Sequence, residues 1–480
     1  MNNNILADFR HNDWNIDKIL IFIIPLIFIA ILFLMPEEWL LESLVLCTVI
    51  FFYILLIYKH RMVYGYSGIR IASIPSSIVA AFTVFISIPS IYILMIKDHP
   101  NEIQYYYSII IFYLIFPVGL YLGKSIRMID EVKVKKLLIS KVAKSYNDKY
   151  YYEILIILFS ISMLIICGYL MRVNELPLFE LIRNPGSSTR YFYMREEALK
   201  LLEMSRLEKY MFIWLRSLFI PIGIVGSLYL MLEYRKKKYN VLFILFFIIG
   251  LIINSITLEK FPIAAIFVAI GTFYLLKKDH ISFRFMLLFV FLILTGPLII
   301  TYLLIIEREG IFEIIFWSYI ERLFIIPSEV LFYYFKIFPD IHPFLLGSSS
   351  QLFSWMHTEG TFPLSNYVAK IWWNIPDTSG SANAIYIGNF WSDFGWYGVI
   401  ISTIVLGLIA HLLQWKILTV SDYKKNFLFI VSIAAAVPSF TFGFISANFT
   451  NIFFTKGLIL LICFLFIYEY IKKYFSIIKV

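Results

Sequence analysis

Long apolar runs dominate the chain and are broken at short intervals by clusters of charge. Twelve of them predict membrane-crossing helices, over residues 19–35, 40–58, 72–96, 104–123, 152–171, 210–232, 241–256, 261–276, 285–306, 396–415, 426–445 and 452–471. Their lengths lie around the roughly 17–25 residues that a helix needs to cross the hydrocarbon layer. The runs are continuous and do not alternate residue by residue, which excludes a closed β-barrel. The pattern predicts an all-α polytopic membrane protein with about 12 transmembrane helices, built as a single integral membrane domain over residues 1–480.

The polar segments between the runs alternate in charge. Basic clusters stand at Lys59/Arg61/Arg70, from Lys124 to Lys149, from Arg235 to Lys238, at Lys277/Lys278/Arg284, at Lys416/Lys424/Lys425 and in the tail Lys472/Lys473/Lys479. The intervening short loops, such as Pro36–Trp39 and Ser446–Asn451, carry no Lys or Arg. Basic residues flank the cytoplasmic ends of spans, so this alternation predicts an even number of spans with both termini cytoplasmic. The first run lacks a basic segment before it and has Asp8, Asp13 and Asp17 there instead, which predicts a retained anchor helix rather than a cleaved signal. Two long segments then fall on the outer face, residues 172–209 and residues 307–395.

The first outer loop holds the turn signal Asn184-Pro185-Gly186-Ser187-Ser188, followed by a predicted helix from Thr189 to Lys209 with Glu196 and Lys200 spaced as an i,i+4 pair. Arg183, Arg190, Arg195, Arg206 and Arg216 cluster in and just beyond it. Arginine rather than lysine matters here, because a guanidinium fork binds phosphate oxygens in pairs whereas an ammonium is a point charge. The second outer loop opens on Glu307-Arg308-Glu309. Its apolar stretch Ile311–Phe338 carries Glu313, Glu321, Arg322, Glu329 and Lys336, too many charges for a lipid-facing span. It predicts interfacial or re-entrant helices broken near Pro327. The loop ends in Ser379–Gly398, read as a polar segment rich in Asn, Asp and Gly that leads directly into the next span.

Composition agrees with this picture: 60% of the residues are hydrophobic and 19% aromatic, which leaves too little polar surface for a soluble domain of this length. The net charge of +9 lies mostly in short loops and so reflects membrane orientation rather than a nucleic-acid partner. Cys47, Cys167 and Cys463 each fall inside an apolar run and read as small buried hydrophobes. No phosphate-binding glycine loop, paired-cysteine zinc pattern or His-Glu-x-x-His motif occurs, so no metal site and no cofactor are expected. Two cations lie within apolar runs, Arg216 in the sixth and Lys260 at the start of the eighth, and an ionisable group there is a functional candidate. Trp355, Trp372, Trp373, Trp391 and Trp396 crowd the second loop beside Asn383, Asn389 and Asp393. Arginines, carboxylates and aromatic rings on one outer face suit a ligand that carries both phosphate and sugars.

These features resemble the bacterial oligosaccharide repeat-unit polymerases, the Wzy-type enzymes of O-antigen and capsule synthesis. The resemblance rests on the polytopic bundle with a late, long outer loop, the segment Arg322-Leu-Phe-Ile-Ile-Pro327, Phe338-Pro339, Gly347-Ser348, Asn383 followed by Asp393-Phe394-Gly395 and Gly398, and the span start Glu259-Lys260-x-Pro262. It implies a GT-C-like glycosyltransferase bundle in the bacterial inner membrane. It also implies a metal-independent transfer of glycan from undecaprenyl pyrophosphate onto the next lipid-linked unit at the periplasmic face. The expected partners are the lipid-linked donor and acceptor, membrane lipids and a chain-length regulator protein. On this reading Arg183, Arg190, Arg195, Arg216, Lys260 and Arg308 bind the pyrophosphate, with Arg322 as a further cation at the reacting centre. Glu307, Glu329, Asp393 or a loop histidine such as His357 deprotonates or orients the acceptor hydroxyl, and Asn383, Asn389 and Trp391 hold sugar. Some members carry Arg-x(10)-Gly repeats in two outer loops; no arginine of residues 172–209, nor Arg308 or Arg322, has a glycine eleven residues on. A flippase for the same lipid-linked unit and an O-antigen ligase are the alternatives.

Overall fold

The computed structural model describes residues 40–59, 73–96, 102–140, 148–173, 176–183, 205–277, 316–350, 361–376, 380–445 and 449–478, with a few isolated positions besides. The described residues contain helices and no strand. In chain order the helices are α1 (Leu40–Lys59), α2 (Ile74–Phe82, continued by a π-segment Thr83–Ser87 and Ile88–Ile96), α3 (Glu102–Ile126), α4 (Glu131–Ile139), α5 (Asp148–Leu170) and α6 (Pro177–Arg183). Then come α7 (Arg206–Trp214, a π-segment Leu215–Phe219, and Ile220–Tyr234), α8 (Lys237–Ser255), α9 (Lys260–Lys277) and α10 (a π-segment Phe316–Ile325 and Ile326–Ile337). The last are α11 (Leu364–Trp373), α12 (Tyr386–Val420), α13 (Phe427–Pro438 with a π-segment Ser439–Gly443) and α14 (Leu458–Ile478).

Among the described residues six helical stretches are long and apolar enough to cross a membrane: Ile74–Ile93, Ile103–Ile126, Asp148–Leu170, Leu207–Tyr234, Lys237–Ser255 and Tyr386–Val420. The protein is therefore a helical membrane protein. Four further expected spans contain shorter apolar helices, Ser43–Phe52, Phe261–Lys277, Phe427–Pro438 and Leu458–Tyr470. The expected spans 19–35 and 285–306 lie outside the described residues, apart from isolated positions.

Among the described residues, four of the basic clusters gather at one end of the bundle. Lys236 pairs with Asp148, whose Oδ2 also accepts from Tyr239 Oη at 2.6 Å. Lys277 lies 2.8 Å from Glu233, and Lys416 pairs with Glu469. Asp130 caps α4: its carboxylate accepts the backbone N–H groups of Lys133 and Val132, which holds its carboxyl below the usual carboxylate range. The Tyr423 hydroxyl accepts the Asp130 N–H at 3.2 Å and ties this end to the turn after α12.

Between the ends, small residues and buried hydroxyls fix the packing. Helices α3 and α12 approach most closely where Gly119 faces Gly407: a Cβ on Gly119 would collide with the Ile404 carbonyl, and one on Gly407 with that of Phe116. Such contact between backbones is how helices adhere where lipid removes the hydrophobic drive to associate. Tyr113 Oη bonds both Thr83 Oγ1 and Ser87 Oγ at 2.8 Å, spanning the π-segment of α2. Tyr105 Oη and Ser328 Oγ are 2.5 Å apart, and Ser328 donates onward to the Ile86 carbonyl at 2.9 Å. These bonds satisfy groups that no water reaches.

Three expectations change. The described part of the stretch 311–338, from residue 316, is helical; the expected break near Pro327 is replaced by a π-segment that passes at Ile325 into an α-helix with helical backbone angles, Pro327 standing in its first turn, where a proline is tolerated. Ser328, Val330, Leu331, Phe332, Tyr334 and Phe335 are buried, so Ile326–Ile337 packs into the bundle, which fits the re-entrant alternative better than a helix lying on the surface. Any helix over 189–209 is broken at Ser205, which is extended and forms a capping box with Glu208; residues 184–193 and 195–204 lie outside the described set. The polar segment Ser379–Gly398 is itself helical from Tyr386 and forms the first part of α12, and a kink at Gly395 (φ 59°, ψ −141°) separates this piece from the long apolar part. Only glycine takes that conformation without strain.

Gly119→Val should lower the stability of the detergent-solubilised protein by about 1–3 kcal/mol through overpacking, read as a drop in melting temperature with normal membrane insertion.

Candidate functional site

The end of the bundle opposite the basic loops carries two polar centres. The first is built on the π-segment of α7. Arg216 lies there with its side chain 6% exposed, and its Nη2 is 2.6 Å from Glu259 Oε2. Glu259 stands in the turn between α8 and α9, where Leu258 is held at φ +54° by burial against Leu181 of α6 and Ile263 of α9. Thr257 Oγ1 donates to the same carboxylate oxygen at 3.2 Å. The ion pair is close but not aligned as a hydrogen bond, so Arg216 Nε and Nη2 keep unused donors.

More polar groups converge on Arg216. Helices α7 and α8 run antiparallel, with Gly223 against Phe246 and Gly250 against Ile220 and Ile224. One turn further along both helices this register sets Asn254 level with Arg216. The Asn254 side chain is fully buried, and neither its Oδ1 nor its Nδ2 has a hydrogen-bond partner. Tyr169 stacks on Phe212 at 4.0 Å, and the Arg216 guanidinium lies 5.6 Å from the centre of the same Phe212 ring. The Tyr169 hydroxyl is buried without a partner, within electrostatic reach of both Arg216 and Glu259. Lys456 completes the group. Its Nζ sits 4.9 Å from the Phe261 ring and interacts with Glu259 and Arg216. Ser217 Oγ donates to the Lys456 carbonyl at 3.0 Å and Trp214 Nε1 to the Phe454 carbonyl at 2.7 Å, so side chains flanking Arg216 position the lysine. Two cations, one carboxylate and several uncommitted donors therefore meet in a largely apolar surrounding, an arrangement suited to an oxyanion.

The second centre is a clip. Asp393, 2% exposed, accepts from Ser349 Oγ at 2.6 Å and from the Ser349 N–H at 3.3 Å. The Leu345 and Leu346 N–H groups donate to the Ser392 and Asp393 carbonyls at 2.9 and 3.0 Å. Trp391 is buried, its Nε1 donating to the Phe338 carbonyl at 2.9 Å across the cis Phe338–Pro339 bond. Asp393 and Trp391 thus anchor the turn 338–350 to the short helix before Gly395. The segment from Phe449 to Lys456 joins the centres: Phe449 packs edge-on against Phe390, and Thr450 Oγ1 is 3.4 Å from Ser350 Oγ.

The other expected residues scatter. Arg322 is exposed on the π-segment of α10, and Arg183 is exposed at the end of α6. Glu329 Oε1 accepts from Trp372 Nε1 at 3.4 Å. Asn383 is exposed and donates to Ser381 Oγ at 3.2 Å, while Asn389 is half-buried and its carbonyl accepts from Ser392 Oγ. Lys260 opens α9, next to Glu259. Arg190, Arg195, Glu307, Arg308 and His357 lie outside the described residues. Among the described residues no three His, Cys, Asp or Glu side chains converge as metal ligands would. Sequence reasoning passed over Glu259 as a partner, Lys456, Asn254 and Tyr169. Lys456 had a readable signal, since it is a lone cation inside the run 452–471. Asn254 and Tyr169 had none, because a single polar group in an apolar helix gains meaning only from what faces it.

Asp393→Ala should leave the Ser349 N–H and O–H without that acceptor and cost about 1–3 kcal/mol. The expected readouts are a lower melting temperature and faster proteolytic cutting within 343–350.

Compared with models of known protein families, with curated proteins and with solved structures, the chain has no match.

Proposed function

We propose that this protein is an oligosaccharide repeat-unit polymerase: a glycosyltransferase that moves a growing glycan from a lipid pyrophosphate onto the next lipid-linked unit. The reading includes about twelve spans in a GT-C-like bundle, residence in a bacterial inner membrane, cytoplasmic termini and a periplasmic Arg216 end. One observation carries it. Arg216 is buried at the end of the bundle, its Nη2 paired with Glu259 and its Nε without a hydrogen-bond partner, and Lys456 lies within electrostatic reach of it. A pyrophosphate leaving group gathers negative charge as the glycosidic bond breaks, and fixed cations in a site of low dielectric constant stabilise that charge most where water is excluded.

In the proposed reaction Arg216 and Lys456 hold the donor pyrophosphate, and Asn254 and Tyr169 supply further hydrogen bonds. The acceptor sugar approaches from the side of the turn 338–350, where His342 lies among Phe338, Phe362 and Tyr367 at 5.2–5.5 Å between ring centres. Aromatic faces there offer a surface for sugar rings. Glu329, half-buried and bonded by Trp372 Nε1, is the carboxylate that this reading assigns to orienting the acceptor hydroxyl. Asp393 is committed to Ser349 and is left out of the chemistry. Arg322, exposed, is available to a pyrophosphate at the surface.

A second reading, a flippase for the same lipid-linked unit, draws on the same buried ion pair, since paired charges inside a bundle also mark transport pathways. The two separate in a deletion strain. Loss of a polymerase leaves single units displayed outside, and loss of a flippase leaves them on the inner leaflet.

The test complements the deletion strain with a double variant, Arg216→Gln with Glu259→Gln, which removes both charges and leaves neither unpaired. Long-chain glycan should fall by about 100-fold or more, the order seen when one charge-stabilising donor is lost, while the protein still inserts. A normal glycan ladder on gels would overturn the reading. Arg322→Ala in the same strain should also shorten the glycan, and full-length chains would remove Arg322 from the site.

A further inference from the structure

A membrane confronts Arg216 and Lys456 with a problem of selection. Phosphodiester head groups surround the protein, and an arginine with open donors would take any of them. The carboxylate of Glu259 sits on Arg216, 2.6 Å from Nη2. Its position is built in, not incidental. Thr257 bonds it, and Leu258 holds the turn at φ +54° with its side chain packed on Leu181 and Ile263. A non-glycine residue persists in that conformation only where its surroundings enforce it, and such strain concentrates at working sites.

We propose that Glu259 is the specificity-determining residue of this site: its carboxylate occupies Arg216 until a pyrophosphate displaces it, and a singly charged phosphodiester cannot. The inference rests on the reading of this centre as the pyrophosphate site. Exchanging one monoanion for another on Arg216 gains nothing in Coulomb energy, and the tethered carboxylate competes at a high effective concentration. A pyrophosphate brings more charge and spans more distance. It engages Lys456 as well as Arg216, and it can use the Arg216 Nε, the Asn254 amide and the Tyr169 hydroxyl, all buried without a partner. Discrimination thus comes from a competitor built against the wrong ligand as much as from attraction to the right one.

The experiment measures binding by calorimetry on the full-length protein in maltoside micelles, which contain no phosphate. The probes are inorganic pyrophosphate and dimethyl phosphate, a monoanionic phosphodiester. Wild type should bind pyrophosphate at least about tenfold more tightly, and Glu259→Gln should narrow that ratio to within about threefold by strengthening the phosphodiester. Native mass spectrometry should find more phosphatidylglycerol retained on Glu259→Gln than on wild type, which separates the lipid source of the anion from the free one. Arg216→Gln should abolish binding of both probes. Glu259→Asp, shorter by one methylene, is the second variant in case Glu259→Gln does not fold, and it should lose part of the discrimination at an unchanged melting temperature. An unchanged ratio in both Glu259 variants, or a wild type that binds neither probe, would overturn the inference. Collapsed selectivity in Glu259→Gln, together with a normal glycan ladder from the Arg216→Gln/Glu259→Gln strain, would uphold it and remove the polymerase reading instead.

Discussion

Everything in this molecule answers to the exclusion of water from the bundle. A backbone group in hydrocarbon that lacks a partner costs several kcal/mol, so the apolar runs close their hydrogen bonds locally as helices. The same rule governs side chains. Tyr113 bridges Thr83 and Ser87, Tyr105 meets Ser328, and Asp393 takes the hydroxyl and N–H of Ser349. Against that background the Arg216 centre stands out, because there the rule is broken by several atoms at once: the Arg216 donors, both ends of the Asn254 amide and the Tyr169 hydroxyl. Groups that could have been apolar at no cost are instead polar and uncommitted.

The architecture brings this about economically. A π-segment widens α7 by one residue in a turn and sets Arg216 on the side facing the α8–α9 turn. Antiparallel packing through Gly223 and Gly250 carries Asn254 to the same level. The segment leading into α14 is pinned by Trp214 and Ser217, so a lysine far away in sequence arrives beside the arginine. At the other centre, Gly395 lets one helix change direction, and the turn 338–350 is clasped to its first part. The two centres share the segment 449–456. That continuity links the aromatic turn to the two cations.

The sequence by itself determined the class of the protein. Hydrocarbon thickness and backbone hydrogen bonding leave few choices to a run of about twenty apolar residues, and among the described residues four of the basic clusters lie close together, through Lys236–Asp148, Lys277–Glu233 and Asp130–Tyr423. Arg216 stood out as a charge in an apolar run for the same reason. What only the tertiary structure decided is who faces whom. Asp393 carries no mark of its partner Ser349, 44 positions away. The core position of Ile326–Ile337 contradicts its charge content, because Glu329 and Lys336 lie on its less buried side while Ser328 and Tyr334 turn inward. Lys456 and Glu259 become members of one site only when α9 and α14 are packed against α7. Local composition reports the medium that a segment must live in; the partner of a buried charge depends on helix register and crossing, which are properties of the whole bundle.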